Sequence, residues 1–459
     1  MRQRPRVGWG RTMTVHEPLQ TTSRRGVAAV LVSTIGYGFA TLMPPLVGLP
    51  VLIERLDPAG KAGALALALG LAAVALLVGT PIFGALSDHM TGRLGMRRPG
   101  LIGGTLVVCV GLIVEGLSTS TGLLMGGVVI AATGQAIFIG SYAALIPDQV
   151  MPTQRGRVLG VQSLIYVLAG VAAAFVGARL LDHHLALFGT GGLLMLVTTA
   201  IAVGLLQDRV LEKGANHHRL GLGQLLAGFR FSPRAVPNYS WVWLSRFVIT
   251  LGYTFGGFSI YFMTDELRIT DAQLPGLITL SVVVNLLGTV TGTILGGFLS
   301  DKLARLPKLV IIVCVIFAGG GLVAAASFSI PVFMAALGVI AFSTGAFLPI
   351  DGALVMAVLP GSRAETGKYM SIIAIAEQLP RAIAPLLVPG IIALGAVVGV
   401  GGYRLLYIIL GIVIVTGGLV VRNVKNIGGA AAPGDPEASG TAVVELPELQ
   451  GAEVAPPLA

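Results

Sequence analysis

The sequence predicts an all-α integral membrane protein, with twelve transmembrane helices in two pseudo-symmetric six-helix bundles. Three observations predict it: a composition too apolar for a soluble chain, twelve apolar runs of spanning length, and a motif that recurs 213 residues downstream. Of 459 residues, 54% are hydrophobic and 11% charged, with a mean hydropathy of +0.87. A soluble domain covers its surface with about 25% charged residues, so a string of soluble domains is excluded. The 64 glycines follow no three-residue period, which excludes collagen. Beside Leu, Val and Ala they suit the close contacts of packed membrane helices.

A span needs about 20 apolar residues to cross roughly 30 Å of hydrocarbon. Six runs of that kind lie near 26–50, 63–87, 100–120, 122–147, 156–181 and 187–206. Six more lie near 241–264, 274–300, 308–328, 330–359, 367–398 and 402–421. Residues 1–25 hold six arginines and no apolar core, so they form a cytoplasmic N-terminal segment and not a secretory signal; Met13 is an alternative start. The two bundles are then 26–206 and 241–421, joined by a cytoplasmic linker, 207–240, that carries Arg209, Lys213, Arg219, Arg230 and Arg234. Residues 422–459 form an acidic tail, rich in Ala, Pro and Gly, with too little apolar surface to fold. Pro380, Pro385 and Pro389 make the eleventh span the one expected to bend.

The repeat relates the halves. Gly84-Ala-Leu-Ser-Asp88 closes the second span and Gly297-Phe-Leu-Ser-Asp301 closes the eighth. A weaker echo, offset by 208, links Met151-Pro152-Thr-Gln-Arg155 with Leu359-Pro360-Gly-Ser-Arg363. Two duplicated six-helix halves are the build of many secondary transporters. Orientation follows from the basic residues. Of the 30 Lys and Arg, 23 lie in segments on the side of the N-terminus, and only Arg55, Lys61, Arg179, Arg268 and Arg404 lie in loops on the other. Positive charge is kept on the cytoplasmic side, so both termini are expected in the cytoplasm of a multi-pass plasma-membrane protein. The net charge of +9 is thus spent on short loops and gives no reason to expect nucleic acid.

The richest motif runs Gly84-Ala-Leu-Ser-Asp88-His89-Met-Thr-Gly92-Arg93-Leu-Gly95-Met-Arg97-Arg98-Pro99. Its glycines permit close helix approach, Asp88 accepts hydrogen bonds, and the arginines face water. Such a cluster can latch two helices, or two halves, by charge-assisted hydrogen bonds. It is followed by Tyr142-Ala-Ala-Leu-Ile-Pro147-Asp148, then Pro152 and Arg155-Gly156-Arg157.

These residues resemble the loop between helices two and three of the major facilitator superfamily. Ser-Asp followed by a stretched Arg…Gly-x-Arg-Arg-Pro is most similar to its sucrose-transporter and glycoside–pentoside–hexuronide branch. Residues 142–157 are similar to the end of that branch's fourth helix. The resemblance covers about residues 25–425. It implies the major facilitator fold and alternating access between two halves, with sugars or glycosides moved alongside H⁺ or Na⁺. Branch members coupled to Na⁺ in the melibiose style carry acids in the second helix and within the fourth. Here span 63–87 has none, Asp148 sits only at the end of span four, and its counterpart in the second half is Met356. The expected coupling ion is therefore H⁺.

Ionisable side chains inside the membrane are costly and usually face a cavity with a partner. They are Glu115, Arg246, Asp351, Glu377 and Arg381. Glu377 and Arg381 are four apart on one helix and so share a face. Asp351 lies nine residues, about 13 Å, before Pro360. Burial favours a neutral carboxyl and a nearby guanidinium its ionised form, so Glu377 or Asp351 is expected to carry a proton and Arg381 to tune it. A static structural ion pair is the other reading. For Glu115 it is a locally paired group near the outer boundary, and for Arg246 snorkelling to the inner interface. Gln135, Gln162, Tyr166 and Asn285 are polar groups at cavity depth, suited to hydrogen-bonding a solute.

Gating is expected of Gly84, Asp88, Arg93, Arg97, Arg98, Asp148 and Arg155, with Asp301 and Arg305 as second-half counterparts. Cys109 and Cys314 lie in apolar runs without metal or disulfide spacing. His183 and His184 are adjacent with no third ligand, so neither metal nor cofactor is expected. The lack of a Gly-x-x-x-x-Gly-Lys-Ser/Thr loop argues against an ATP-driven pump. No nucleophile-and-base set argues for an enzyme. The expected function is a secondary active transporter of a small polar solute, a sugar or glycoside first, acting as a monomer in the lipid bilayer. The alternative is an exporter of drugs or amphipathic metabolites, which calls for a greasier cavity and an acid in the first helix; span 26–50 has no acid.

Overall fold

The structure, a computed structural model, describes residues 23–88, 90, 95–151, 154–206, 233, 234, 236–270, 272–303, 305–359 and 366–425. Among them all regular structure is helical, and twelve helices are long and apolar enough to cross a membrane. In chain order they are α1 (Arg24–Leu56), α2 (Lys61–Asp88), α3 (Arg98–Gly116), α4 (Thr121–Tyr142, with a short helix Leu145–Gln149 after it), α5 (Arg155–Gly177) and α6 (His184–Leu205). The second set is α7 (Pro237–Glu266), α8 (Leu274–Lys302), α9 (Leu306–Ala325), α10 (Ile330–Val358), α11 (Thr366–Val398) and α12 (Gly402–Val420). Each run expected from hydropathy lies on one of these helices, with ends shifted by a turn or two. Most of the 207–240 segment and all of the chain beyond Lys425 lie outside the described residues.

Hydrocarbon offers backbone groups no partners, so the ladder of each helix must satisfy them. Helix starts are set locally. The Ser23 and Ser120 hydroxyls accept from Gly26 and Leu123 N–H at 3.0 and 3.3 Å. Proline opens α3, α7, α8, α9 and α10, where its missing N–H has no ladder partner to lose.

The halves are built alike. In the first, α3 packs on α4 and α6, α2 on α4, and α1 on α5 and α6. In the second, α9 packs on α10 and α12, α8 on α10, and α7 on α11 and α12. Adding six to each helix number converts one set into the other. Between the halves α2 meets α11, and α5 meets α8, two contacts that the same exchange interconverts. An even number of crossings returns the chain to its starting side. We call that side the terminal face and the other the opposite face.

Changes of helix type fall in α1 and α7, not at the prolines of α11. α11 stays helical through Pro380, Pro385 and Pro389. Instead α1 widens into a π turn at Pro44–Gly48, where Leu49 N–H bonds to Pro44 O. α7 tightens to a 3₁₀ turn at Phe255–Phe258 and widens to a π turn at Phe262–Glu266. The Pro44-Pro45 pair withholds N–H donors, and Gly256-Gly257 lacks side chains to stiffen the turn. The 213-residue offset carries 44–48 onto 257–261, inside the irregular stretch of α7.

Glycine sets the closest helix contact of the second half. Gly288, Gly292 and Gly296, four residues apart on α8, lie against the backbone of α10. A Cβ on Gly288 would stand 2.7 Å from Gly338 O, and one on Gly296 2.5 Å from Ala346 O. Gly296→Val must therefore push the helices apart. Overpacking of this kind costs about 1–3 kcal/mol, so a lower melting temperature in detergent is expected. An unchanged one would show the α8–α10 contact to be slack.

Candidate functional site

Three helices of the second half bring four charges together roughly 10–23 Å along their lengths from the terminal face. Arg246 of α7 holds the centre. Its Nη1 lies 3.0 Å from Asp351 Oδ2 on α10, and its Nη2 donates to Glu377 Oε2 on α11 at 3.2 Å. The other oxygen of Glu377 accepts from Arg381 Nη2 at 2.7 Å. Side-chain exposure rises along the chain of charges, from 6% at Asp351 through 19% and 35% to 45% at Arg381. The network thus begins in the helix core and ends in open space.

That space is a cavity of about 180 Å³ between α7, α9, α10, α11 and α12. Its charged lining is Arg246, Glu377 and Arg381, and Thr250, Tyr253 and Thr344 add hydroxyls. Ile249, Phe317, Phe347, Leu348 and Ile414 are among its apolar walls.

The first half supplies an aromatic shelf. Tyr37 of α1 stacks on Phe138 at 5.3 Å between ring centroids, and on Tyr142 and Tyr166 at 5.9 Å each. The Tyr142 hydroxyl pairs with Thr34 at 2.6 Å and accepts from Gln162 Nε2 at 2.7 Å. Tyr166 meets Thr41 at 3.4 Å. Sequence reading named Tyr142, Tyr166 and Gln162 but not Tyr37 or Thr34. Only their contact with α4 marks them.

A profile of the Major Facilitator Superfamily matches residues 26–385, and again 242–439. The chain belongs to the Major Facilitator Superfamily. It is a transporter of that superfamily and a multi-pass membrane protein. Solved superfamily structures share the fold. A bacterial homologue of the human lysosomal transporter Spinster, inward-facing and unoccupied, covers 89% of the chain and 99% of its own at 16% identity and TM-score 0.64. The nucleoside transporter NupG covers 86% and 100% at 11% identity and TM-score 0.67. The human organic anion transporter MFSD10 covers 88% and 100% at 18% identity and TM-score 0.60. In sequence, the multidrug resistance protein MdtH of Cronobacter sakazakii (strain ATCC BAA-894) is 29% identical over 155 residues. That match spans 33% of this chain and 37% of the relative.

Within this superfamily fold the other residues singled out from sequence take varied places. Glu115 is 2% exposed on α3 beside Gly127 of α4, and its Oε2 has no hydrogen-bond partner among the described residues. It stands apart from the four-charge network. Gln135 is half-buried on α4 and does not line the cavity. Asn285 is exposed on α8 and accepts from Thr289 of its own helix at 3.5 Å, so it does not face the cavity as its depth suggested.

At the terminal face Arg97 was expected in water, yet it is 7% exposed. Its Nε donates to Asp148 Oδ2 at 2.9 Å and its Nη1 to Ser87 Oγ at 3.1 Å. Ser87 accepts also from Ser141 at 2.9 Å, so the motif ties the ends of α2, α3 and α4 inside one half. Gly84 serves the same junction, since a Cβ on Gly140 would lie 2.6 Å from its N. Arg98 donates to Leu206 O at 2.6 Å, and Arg155 to Pro147 O and Val150 O at 3.1 and 3.2 Å. Arg305 is exposed just before α9. Arg93 lies outside the described residues, as do the side chains of Asp88 and Asp301.

Among the described residues an ion pair joins the halves at the opposite face, where sequence reading saw only loop charge. Lys61 Nζ donates at 2.6 Å to Glu54 of its own half and at 2.6 Å to Asp265 of the other. Its Nζ also stands 4.9 Å over the Tyr261 ring, whose hydroxyl donates to Pro50 O at 3.0 Å. Glu54 is reached because α1 runs past residue 50 to Leu56, so the first helix does carry an acid. Among the described residues no group of three or more His, Cys, Asp or Glu could hold a metal ion.

Proposed function

We propose that the protein is a proton-coupled secondary transporter of small amphipathic solutes that carry a ring. The observation that carries this reading is the Asp351–Arg246–Glu377–Arg381 network, which passes from a helix core into an apolar-walled cavity. A carboxylate held by a guanidinium in one state and released in another takes up and gives back a proton as its surroundings alternate. Glu377 is suited to that role because it shares its two oxygens between two arginines. Asp351 is the second candidate. Acids for Na⁺ at the branch's usual places are missing from α2 and from within α4, which supports H⁺. The apolar walls and the tyrosine shelf suit a solute with a ring and few polar groups.

A sugar or glycoside is the second reading, favoured by the hydroxyl and amide set of Thr34, Tyr142, Tyr166 and Gln162 beside the stacked rings. We further propose that the protein works as a monomer in the plasma membrane with the terminal face cytoplasmic, in keeping with the 23 basic residues on that side. On this reading Asp88, Arg93, Arg97, Arg98, Asp301 and Arg305 close that face when the Lys61 contact opens.

Counterflow of labelled sugars and of ring-bearing amphiphiles in proteoliposomes tests the reading. Asp351→Asn and Glu377→Gln decide the coupling. One of the two is expected to abolish accumulation driven by a pH gradient while exchange of solute continues. If both variants still accumulate solute under the gradient, neither acid carries the proton and the coupling proposal fails.

A further inference from the structure

Two guanidiniums and one carboxylate line the cavity, an excess of one positive charge. The acid that balances the network overall, Asp351, is 4% exposed and does not line it. Arg381 is the most open member. One hydrogen bond, from Nη2 to Glu377, is described for it, although a guanidinium carries five donors in a fixed fork. Arg381 lines the cavity. A planar fork with free donors in a pocket with apolar walls is a site for a carboxylate or another planar oxyanion.

Resting on the transporter reading above, we propose that Arg381 binds the anionic group of an organic monoanion whose apolar ring lies against the cavity walls, and that this anion and Glu377 compete for it. When Glu377 is ionised it occupies Arg381 and the fork is partly spent. When Glu377 takes a proton from the aqueous side to which the cavity is open, the fork is released and the solute anion takes its place. One proton and one anion then travel together, with no net charge moved. The groups facing Glu377 are compatible with this exchange. Arg246 and Tyr253 come from α7, with Asp351 behind Arg246 on α10 and Cys314 across the cavity on α9. α2 has no titratable side chain between Lys61 and Asp88, and Tyr403, Arg404 and Tyr407 of α12 all lie in its first turns near the opposite face. On this proposal the exchanging proton sits on Glu377, the carboxylate that lines the cavity, while Asp351 is paired with Arg246 behind it.

The test uses three probes of one size on the purified full chain in detergent: benzoate, benzamide and benzyltrimethylammonium. Binding is read from tryptophan fluorescence, since Trp243 lies one turn from Arg246, and from the melting temperature. Benzoate should bind at least tenfold more tightly than the other two, and more tightly at pH 6 than at pH 8. Arg381→Gln should remove the benzoate preference and leave benzamide unchanged. Glu377→Gln should bind benzoate at pH 8 as the unaltered protein does at pH 6. Should Arg381→Gln fail to purify, Arg381→Lys serves, with benzoate several-fold weaker and benzamide the same. Equal binding of the three probes, a preference for the cation, or a benzoate preference undiminished by the Arg381 substitution overturns the anion site. If that happens while Glu377→Gln still abolishes proton-driven accumulation of a neutral or cationic ring compound, the transporter reading stands alone. A benzoate preference without any proton-driven flux has the reverse meaning.

Discussion

Arg246→Gln is expected to be the most damaging single substitution in the network. It leaves Asp351 buried with no countercharge, and Glu377 with only Arg381. Removing one partner of a buried pair costs about 3–5 kcal/mol, because the survivor keeps its desolvation penalty. A large fall in melting temperature and in yield should follow, together with loss of transport. The double variant Arg246→Gln/Asp351→Asn should recover much of the stability and none of the coupling. Recovery separates an unpaired charge from mere loss of packing. If Arg246→Gln melts with the unaltered protein, the network contributes nothing to the fold.

The second large effect is expected at the opposite face. Lys61→Gln removes two hydrogen bonds of 2.6 Å and leaves Glu54 and Asp265 facing each other across the halves. Charge-assisted bonds are worth roughly 1.5–3 kcal/mol each, and about 1.4 kcal/mol is a factor of ten in a population. Opening of that face should therefore rise at least tenfold. Spin labels in the α1–α2 and α7–α8 loops, at residues 58 and 268, should report a longer distance in the variant. An unchanged distance distribution would show that the apolar α2–α11 contact closes this face without help.

The depth to which the sequence could be read follows from the range of each interaction. The twelve helices were legible because hydropathy is a property of about twenty consecutive residues. The Glu377–Arg381 pair was legible because four residues make one turn of a helix. Arg246 was not placed, because its partners lie 105 and 131 residues away and only packing brings α7, α10 and α11 together. Arg97 was read as a solvated loop charge, since nothing local announces that Asp148 and Ser87 wait for it across three helix ends. The partner of Lys61 across the halves was hidden for the same reason, since Asp265 lies 204 residues away. Asn285 shows the opposite error, in which depth along a helix was known but its facing was not. The low periodicity of an apolar helix, nearly uniform around its axis, hides which side looks inward.

The paired interruptions of α1 and α7 separate what the two halves share from what sets them apart. A feature carried at one register by both copies belongs to the common plan, whereas a feature carried by one copy marks where the halves have diverged. Pro44–Gly48 and the broken stretch Phe255–Glu266 overlap when superimposed by the repeat, so the first helix of each half is interrupted at one register. The four-charge network has no such twin, since the 208-residue offset sets Glu377 on Ala169 and Arg381 on Ala173. The halves thus share an interrupted first helix and differ in charge, so any pivoting there is common to both sides while the electrostatic work falls to one.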